Sequence, residues 1–203
     1  MRKFLGIVFL SVCSLASFGQ NWDINLLKNI NQKRTTGTDA LMEPLSNSDY
    51  YVAGAVPVVQ YALGYLSGNK NLKMDGVETL IGYGYGIALT YCYKYTIQKD
   101  RPYVTYPSIV PYSRETDPTF PSGHACMAFS AATSVSLCYP KWYVIAPAYV
   151  WAGAVGYSQV YLGMHYPSDV LMGALCGAGS AWLAQKTTDW LDARKKKKVF
   201  MAN

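Results

Sequence analysis

Five apolar segments, separated by short polar connections, constrain the fold of this 203-residue chain more than any other feature. They cover residues 50–67, 76–97, 124–139, 142–162 and 168–185. Each is close to the roughly 20 residues that a helix needs to cross a bilayer, and their Gly, Ala and Ser content suits close helix packing in lipid. No stretch shows the alternation typical of strands. The segments predict an all-α bundle of five apolar core helices in a membrane.

A soluble all-α bundle with long buried helices remains the alternative, because Glu78, Lys94 and many hydroxyl groups interrupt the apolar segments. The low content of charged residues favours a bundle in the membrane, because only 15% of the residues are charged, against about 25% in typical soluble proteins. The four cysteines in these segments lack the spacing of metal ligands, so they are predicted to be buried free thiols. They are Cys92, Cys126, Cys138 and Cys176.

The N-terminal region has the pattern of a targeting segment. Arg2 and Lys3 precede an apolar run over residues 4–18, and small residues end it. Residues 1–19 are therefore predicted to be a secretory signal peptide or an uncleaved signal-anchor helix. Residues 20–49 are polar and mixed, and their first part has helical spacing of apolar residues. It predicts a short amphipathic helix, lying at the membrane interface or on a soluble surface.

Lysine and arginine residues test the orientation of this predicted bundle. If residue 21 lies outside the cytoplasm, the connection over 68–75, Lys141 and the basic tail over 191–203 all face the cytoplasm. This agrees with the positive-inside rule. The connection over 98–123 then lies outside, although it also carries basic residues. The basic tail is interpreted as an orientation anchor rather than a nucleic-acid site.

Both histidines of the chain fall on the predicted outer side, His124 at the start of the third segment and His165 between the last two. Ser122 can cap the helix that follows it, and Gly123 allows close approach to the backbone. The free N–H groups of a helix start bind anions. A phosphate group is therefore the predicted ligand at "PSGH".

This set of residues suits phosphoryl transfer through a histidine. Lys94 and Arg101 supply cations for the phosphate and its transition state. Asp169, four residues after His165, is placed to fix the tautomer of that ring through a direct hydrogen bond. His124 is predicted to protonate the leaving alcohol.

The motifs K-x6-RP, PSGH and S-x6-H-x3-D resemble those of the type 2 phosphatidic acid phosphatase superfamily, which includes bacterial acid phosphatases and vanadium haloperoxidases. The likeness covers about residues 76–185, within a predicted catalytic domain over 50–190. It implies a six-helix core and metal-independent, cofactor-free dephosphorylation through a phosphohistidine. By motif position, His165 resembles the nucleophile, Asp169 its partner and His124 the general acid. The phosphate cradle would comprise Lys94, Arg101, Ser122 and Gly123, with Ser158 at its edge.

One position departs from the family pattern, which usually has Ser-Arg where this chain has Ser158-Gln159. Gln159 can donate a hydrogen bond to phosphate, but a neutral donor is weaker than a charged one. The change predicts weaker phosphate binding, a different substrate, compensation by Arg114 or loss of activity.

The sequence thus predicts an inner-membrane phosphatase whose active site faces the periplasm or exterior. Its substrate would be the phosphate monoester or pyrophosphate of a membrane lipid: phosphatidic acid, phosphatidylglycerol phosphate, undecaprenyl pyrophosphate or lipid A. A soluble secreted non-specific acid phosphatase is the second interpretation, and a vanadate-dependent haloperoxidase the third. A non-catalytic protein that binds phosphorylated lipid is a further alternative because of Gln159.

Overall fold

The computed structural model describes residues 20–202, which form seven helices and no strand. The predicted all-α class is confirmed, while the predicted signal peptide or anchor at residues 1–19 lies outside the described residues. The helices are α1 Gln20–Asn31, α2 Thr36–Leu66, α3 Lys70–Ile97, α4 Pro102–Thr105, α5 Gly123–Cys138, α6 Trp142–Tyr161 and α7 Pro167–Ala202.

Helix α2 begins well before residue 50, where the first apolar segment starts. The side chain of Thr35 caps it by accepting a hydrogen bond from the N–H of Thr38 at 3.2 Å, in a capping box. Once started, the helix runs without a break through the polar residues into the apolar segment, giving 31 residues. The boundary drawn at residues 49 and 50 from composition therefore does not coincide with a helix end.

Helices α5 and α7 pack closely because two glycines of α7 face the backbone of α5. A Cβ atom at Gly177 would lie 2.1 Å from the carbonyl oxygen of Cys126, and one at Gly173 would lie 2.4 Å from that of Ser122. Small side chains also join α5 to α6, where Ala128 and Ala132 pack against Ala152 and Val155. This packing brings the starts of α5 and α7 together.

Helix α1 packs against the same end of the bundle. Its apolar face, with Ile24 and the fully buried Leu27, contacts Tyr103, Ile109, Val160 and Tyr166. Asp23 accepts a hydrogen bond from the N–H of Ser168 at 2.8 Å, and so caps α7. The apolar face predicted for an interface or surface therefore contacts the protein itself.

The end of the chain and the cysteines differ from expectation. Helix α7 continues through the basic run to Ala202, where the sequence suggested a tail. The four cysteines of the apolar segments are free thiols, as predicted, but Cys92 is exposed and Cys138 only half-buried. By hydropathy, no helix within residues 20–202 is both long and apolar enough to cross a membrane.

Candidate active site

Lys94 and Arg101 converge on one acidic side chain, that of Asp117. Lys94 lies near the end of α3 and donates to Oδ2 of Asp117 at 2.5 Å. Arg101 precedes α4, and its Nη2 donates to Oδ1 of the same carboxylate at 2.6 Å. Arg101 also pairs with Glu115. Both cations are buried. The two predicted phosphate-binding side chains therefore lie together and hold one carboxylate.

The pKa of Asp117 reflects this contact. Burial raises it, but the hydrogen bond from Lys94 and the charge of Arg101 lower it by more, so it lies below the usual aspartate value. Asp117 is therefore an anion at neutral pH.

The PSGH stretch forms the start of α5. The buried side chain of Ser122 accepts a hydrogen bond from the N–H of Ala125 at 3.4 Å, and its own N–H donates to the carbonyl of Asp169 at 3.0 Å. A Cβ atom at Gly123 would meet no atom within 4 Å, so the space beside this residue is open. His124 is half-buried, and the ring of Tyr50 contacts it edge to face at a centroid distance of 5.2 Å.

Thr119 connects His165 to Asp169. Its hydroxyl donates to Oδ2 of Asp169 at 2.7 Å and lies 3.0 Å from Nδ1 of His165. Because the carboxylate only accepts, the single hydroxyl proton goes to Asp169, and the threonine oxygen accepts from Nδ1–H. The proton on Nδ1 leaves Nε2 of a neutral His165 with a free lone pair.

The direct hydrogen bond expected between His165 and Asp169 is replaced by this relay, since Nδ1 and Oδ2 are 3.8 Å apart. The sequence interpretation was wrong on this contact, because a threonine from the preceding connection lies between the two residues. Burial lowers the pKa of His165 below its usual value, although Asp169 opposes the shift. The imidazole is therefore neutral at neutral pH.

Lys99 binds the carboxylate oxygen of Asp169 that Thr119 does not contact, since its Nζ donates to Oδ1 at 2.7 Å. The N–H of Tyr166 donates to Oδ2 at 3.0 Å. With Thr119, these contacts satisfy the fully buried carboxylate from three directions.

Ser158 and Gln159, both buried near the end of α6, contact helix backbone and α2. The hydroxyl of Ser158 donates to the carbonyl of Val155 at 2.7 Å. The side-chain amide of Gln159 donates to the hydroxyl of Ser46 in α2 at 2.5 Å, and its backbone carbonyl accepts from the N–H of His165 at 3.3 Å. The side-chain contact of Gln159 is thus between helices. Arg114, the candidate for compensation, is exposed and lies over the ring of Tyr103.

Three residues of this site were missed in the sequence: Lys99, Asp117 and Thr119. All belong to the irregular connection between α3 and α5, where no periodicity indicates which side chains point inward. The one available signal was the position of Thr119 close to PSGH.

Among the residues that the structure describes, no cluster of three or more His, Cys, Asp or Glu side chains is arranged to hold a metal ion.

The part of the chain that holds this site is similar in sequence to known proteins. Residues 77–192 match the family model of the PAP2 superfamily. Over 165 residues, the chain is 31% identical to an undecaprenyl-diphosphatase of Sulfolobus acidocaldarius, covering 80% of this chain and 77% of that protein.

A further relative matches part of the chain, and a solved structure matches its fold. A lipid A 4'-phosphatase of Bacteroides thetaiotaomicron is 35% identical, over 37% of this chain and 33% of its own length. The crystal structure of a transmembrane PAP2-type phosphatidylglycerolphosphate phosphatase from Bacillus subtilis superposes with a TM-score of 0.73 at 23% identity. That superposition covers 92% of this chain and 94% of the other.

Proposed function

The chain belongs to the PAP2 superfamily, and from that premise we propose that it is a membrane phosphatase that hydrolyses a lipid phosphate or pyrophosphate through a phosphohistidine. The observation that carries the proposal is the Thr119 relay. It directs the proton of His165 to Nδ1 and leaves Nε2 as a nucleophile, at the end of the bundle where two buried cations and an open helix start converge.

The first step uses these groups together. The phosphate replaces Asp117 on Lys94 and Arg101 and accepts hydrogen bonds at the start of α5. Nε2 of His165 attacks phosphorus, forming a P–N bond while the P–O bond to the leaving group breaks. His124 donates its proton to the departing oxygen, and Asp169 stabilises the charge on the His165 ring through Thr119.

In the second step, His124 acts as a base instead of an acid. Water attacks the phosphohistidine, His124 takes the water proton, and the P–N bond breaks to release inorganic phosphate. His165 returns to its neutral form, so the cycle is closed without a metal ion. Charge stabilisation by Lys94, Arg101 and backbone N–H groups is the main contribution expected of the protein.

Large apolar side chains on the surface support a membrane location. Tyr51, Leu66, Trp142, Val150 and Leu175 on three different helices are all at least two-thirds exposed, more apolar surface than a soluble monomer normally shows to water. The named relatives act on lipid-linked phosphates or pyrophosphates, which agrees with a substrate held in the bilayer. We place the protein in the inner membrane with its site facing the periplasm or exterior.

Phosphate release by the detergent-purified protein, with a chelator present, tests the proposal. The panel comprises phosphatidic acid, phosphatidylglycerol phosphate, undecaprenyl pyrophosphate, lipid A and 4-nitrophenyl phosphate. We expect release that survives chelation and disappears in His165→Ala. Activity that depends on a metal ion, or that survives in His165→Ala, would contradict the mechanism.

The leaving group separates the roles of the two histidines. A nitrophenolate needs no proton to depart, whereas a lipid alkoxide does. His124→Ala should therefore lose roughly 10²–10⁴-fold on a lipid monoester such as phosphatidic acid and far less on 4-nitrophenyl phosphate. His165→Ala should lose both activities equally. An equal loss in His124→Ala on the two substrates would remove His124 from the role of general acid.

A further inference from the structure

A cavity of about 260 Å³ opens between α2, α3 and α5, beside the candidate active site. Asp49, Tyr50, Tyr83 and Met127 line it, together with small and aliphatic side chains. Its walls are mostly apolar, and none of the proposed catalytic groups lines it.

Two buried polar atoms at this cavity have no hydrogen-bond partner: Oδ1 of Asp49 and the hydroxyl of Tyr83. Their residues are only 1% and 6% exposed. A buried polar atom without a partner costs stability, and in a native protein it calls for an explanation such as a ligand. Both residues line the same cavity, so a polar group bound between them would supply the missing partner.

The position of the cavity indicates which part of a substrate would reach it. Tyr50, at the cavity, contacts the ring of His124, the group proposed to protonate the leaving oxygen. Met127 follows His124 by about one helical turn, on the same face of α5. The atoms attached to the leaving oxygen therefore lie next to this cavity.

We propose that the cavity binds the alcohol part of the substrate, and that Asp49 and Tyr83 together bind a hydroxyl group carried by that alcohol. This inference rests on the proposed function and narrows it to lipid phosphates whose leaving alcohol has a free hydroxyl close to the phosphate. A glycerol or sugar alcohol has such a group, and a polyprenyl alcohol does not.

Hydroxyl chemistry fits the two unpartnered atoms better than its competitors. A hydroxyl can donate to Asp49 and accept from Tyr83 at the same time. An anion would be repelled by ionised Asp49. A carbonyl group only accepts, so it pairs with Asp49 only when that carboxyl is protonated, whereas a hydroxyl pairs with either form. An ammonium group could donate to both oxygens, but burying its charge in a mostly apolar cavity costs far more than burying a neutral hydroxyl.

A matched pair of substrates isolates the hydroxyl: 1-oleoyl-glycerol 3-phosphate and its 2-deoxy analogue, which differ by one oxygen. We expect wild-type kcat/KM to favour the hydroxyl-bearing lipid by about tenfold, the ratio typical of one good hydrogen bond. Tyr83→Phe and Asp49→Leu should each reduce this ratio towards one. Tyr149→Phe is the matched control, because its hydroxyl bonds Thr133 away from the cavity, and it should keep the wild-type ratio.

The thermal midpoints of the variants exclude a purely structural explanation. Tyr83→Phe removes a buried oxygen that has no partner, so its midpoint should stay level or rise. Two results would overturn the inference: equal hydrolysis of the two lipids by the wild type, or a preference for the hydroxyl-bearing lipid that persists in both cavity variants. Either result would leave the proposed function standing. No release from either lipid or from 4-nitrophenyl phosphate would overturn both.

Discussion

At the scale of single residues, Thr119 decides which nitrogen of His165 carries the proton. Its hydroxyl lies within hydrogen-bonding distance of both Nδ1 of His165 and the carboxylate of Asp169. A residue in this position acts on the nucleophile without contacting the substrate. Its effect should therefore appear in the rate of the chemical step rather than in binding.

Thr119→Val removes the hydroxyl and keeps the shape of the side chain. We expect kcat to fall about 10–100-fold, the usual cost of losing a group that orients a functional histidine, while KM changes little. Thr119→Ser should restore most of the rate, because it returns the hydroxyl. Steady-state kinetics on 4-nitrophenyl phosphate measures both values. A rise in KM with unchanged kcat, or no rescue by serine, would contradict the relay.

Asp117 occupies the two cations that the substrate phosphate needs, so it competes with the substrate. Asp117→Asn makes this competitor neutral, and inorganic phosphate and vanadate should then inhibit about tenfold more strongly, since charge-assisted bonds are about twice as strong as neutral ones. Because the pKa of Asp117 lies below the usual value, its carboxylate stays ionised from mildly acidic pH upwards. The difference between variant and wild type should therefore persist from about pH 5 to 8.

Asp100→Asn is the control for net charge. Asp100 is exposed on the same connection, and its substitution changes the total charge of the protein by the same amount as Asp117→Asn. It should leave the inhibition constants close to those of the wild type. Equal effects of the two variants would mean that long-range charge, and not the contact with Lys94 and Arg101, sets phosphate affinity.

The sequence predicted the motif residues of the site but not the residues that connect them. Lys94, Arg101, His124 and His165 stand at recognisable spacings, and the structure brings them to one end of the bundle, although their roles remain predictions. Thr119 and Asp117 belong to an irregular connection without a period of 2 or 3.6 residues. Asp117 contacts Lys94 of α3 and Thr119 contacts Asp169 of α7. Their placement therefore follows from how that connection folds against these two helices, which local sequence does not encode.

At the scale of helices, composition located the apolar cores better than the helix ends. The start of α5 at Gly123 and of α6 at Trp142 agree closely with the predicted segments. In contrast, α2 and α7 extend far beyond the apolar segments predicted for them, because polar residues with good helix propensity continue a helix once it has started. In the structure, Thr35 and Thr38 form a capping box that marks the start of α2, and the prediction from the sequence did not use this pair.

The contact between α5 and α7 depends on Gly177. Glycine to alanine within a helix normally stabilises by about 1 kcal/mol, but here the added methyl group would lie 2.1 Å from a backbone oxygen of α5. Gly177→Ala should therefore destabilise the protein by about 1–3 kcal/mol, as overpacking does. Thermal unfolding in detergent measures the change.

Gly179 provides the matched control two residues further along α7, since a Cβ atom there would meet nothing within 4 Å. Gly179→Ala should raise the unfolding midpoint slightly, so the two substitutions are expected to have opposite signs. Gly177→Ala should also lower activity, because Cys126 lies only two residues after the PSGH stretch. Equal midpoints for both variants would show that α5 and α7 can separate without cost.

At the scale of the whole molecule, the site occupies one end of the bundle and the α2–α3 turn occupies the other. Helix α3 has 28 residues, which at 1.5 Å per residue span about 42 Å, somewhat more than the roughly 30 Å hydrocarbon core of a bilayer. Lys94 lies near the end of this helix, and residues 67–69 precede its start. If the bundle spans a membrane, the site and that turn therefore face opposite compartments.

The distribution of Lys and Arg predicts that the site faces outward, and single cysteines can test it. Ser108 in the connection near the site and Asn71 beside the α2–α3 turn are both exposed. In a Cys92→Ser background, a membrane-impermeant maleimide added to intact spheroplasts should label Ser108→Cys strongly. Asn71→Cys should react only after the membrane is permeabilised, because the positive-inside rule assigns Lys70 and Lys73 to the cytoplasm. The reverse pattern would mean that the site faces the cytoplasm, and labelling of both in intact spheroplasts would contradict a membrane between them.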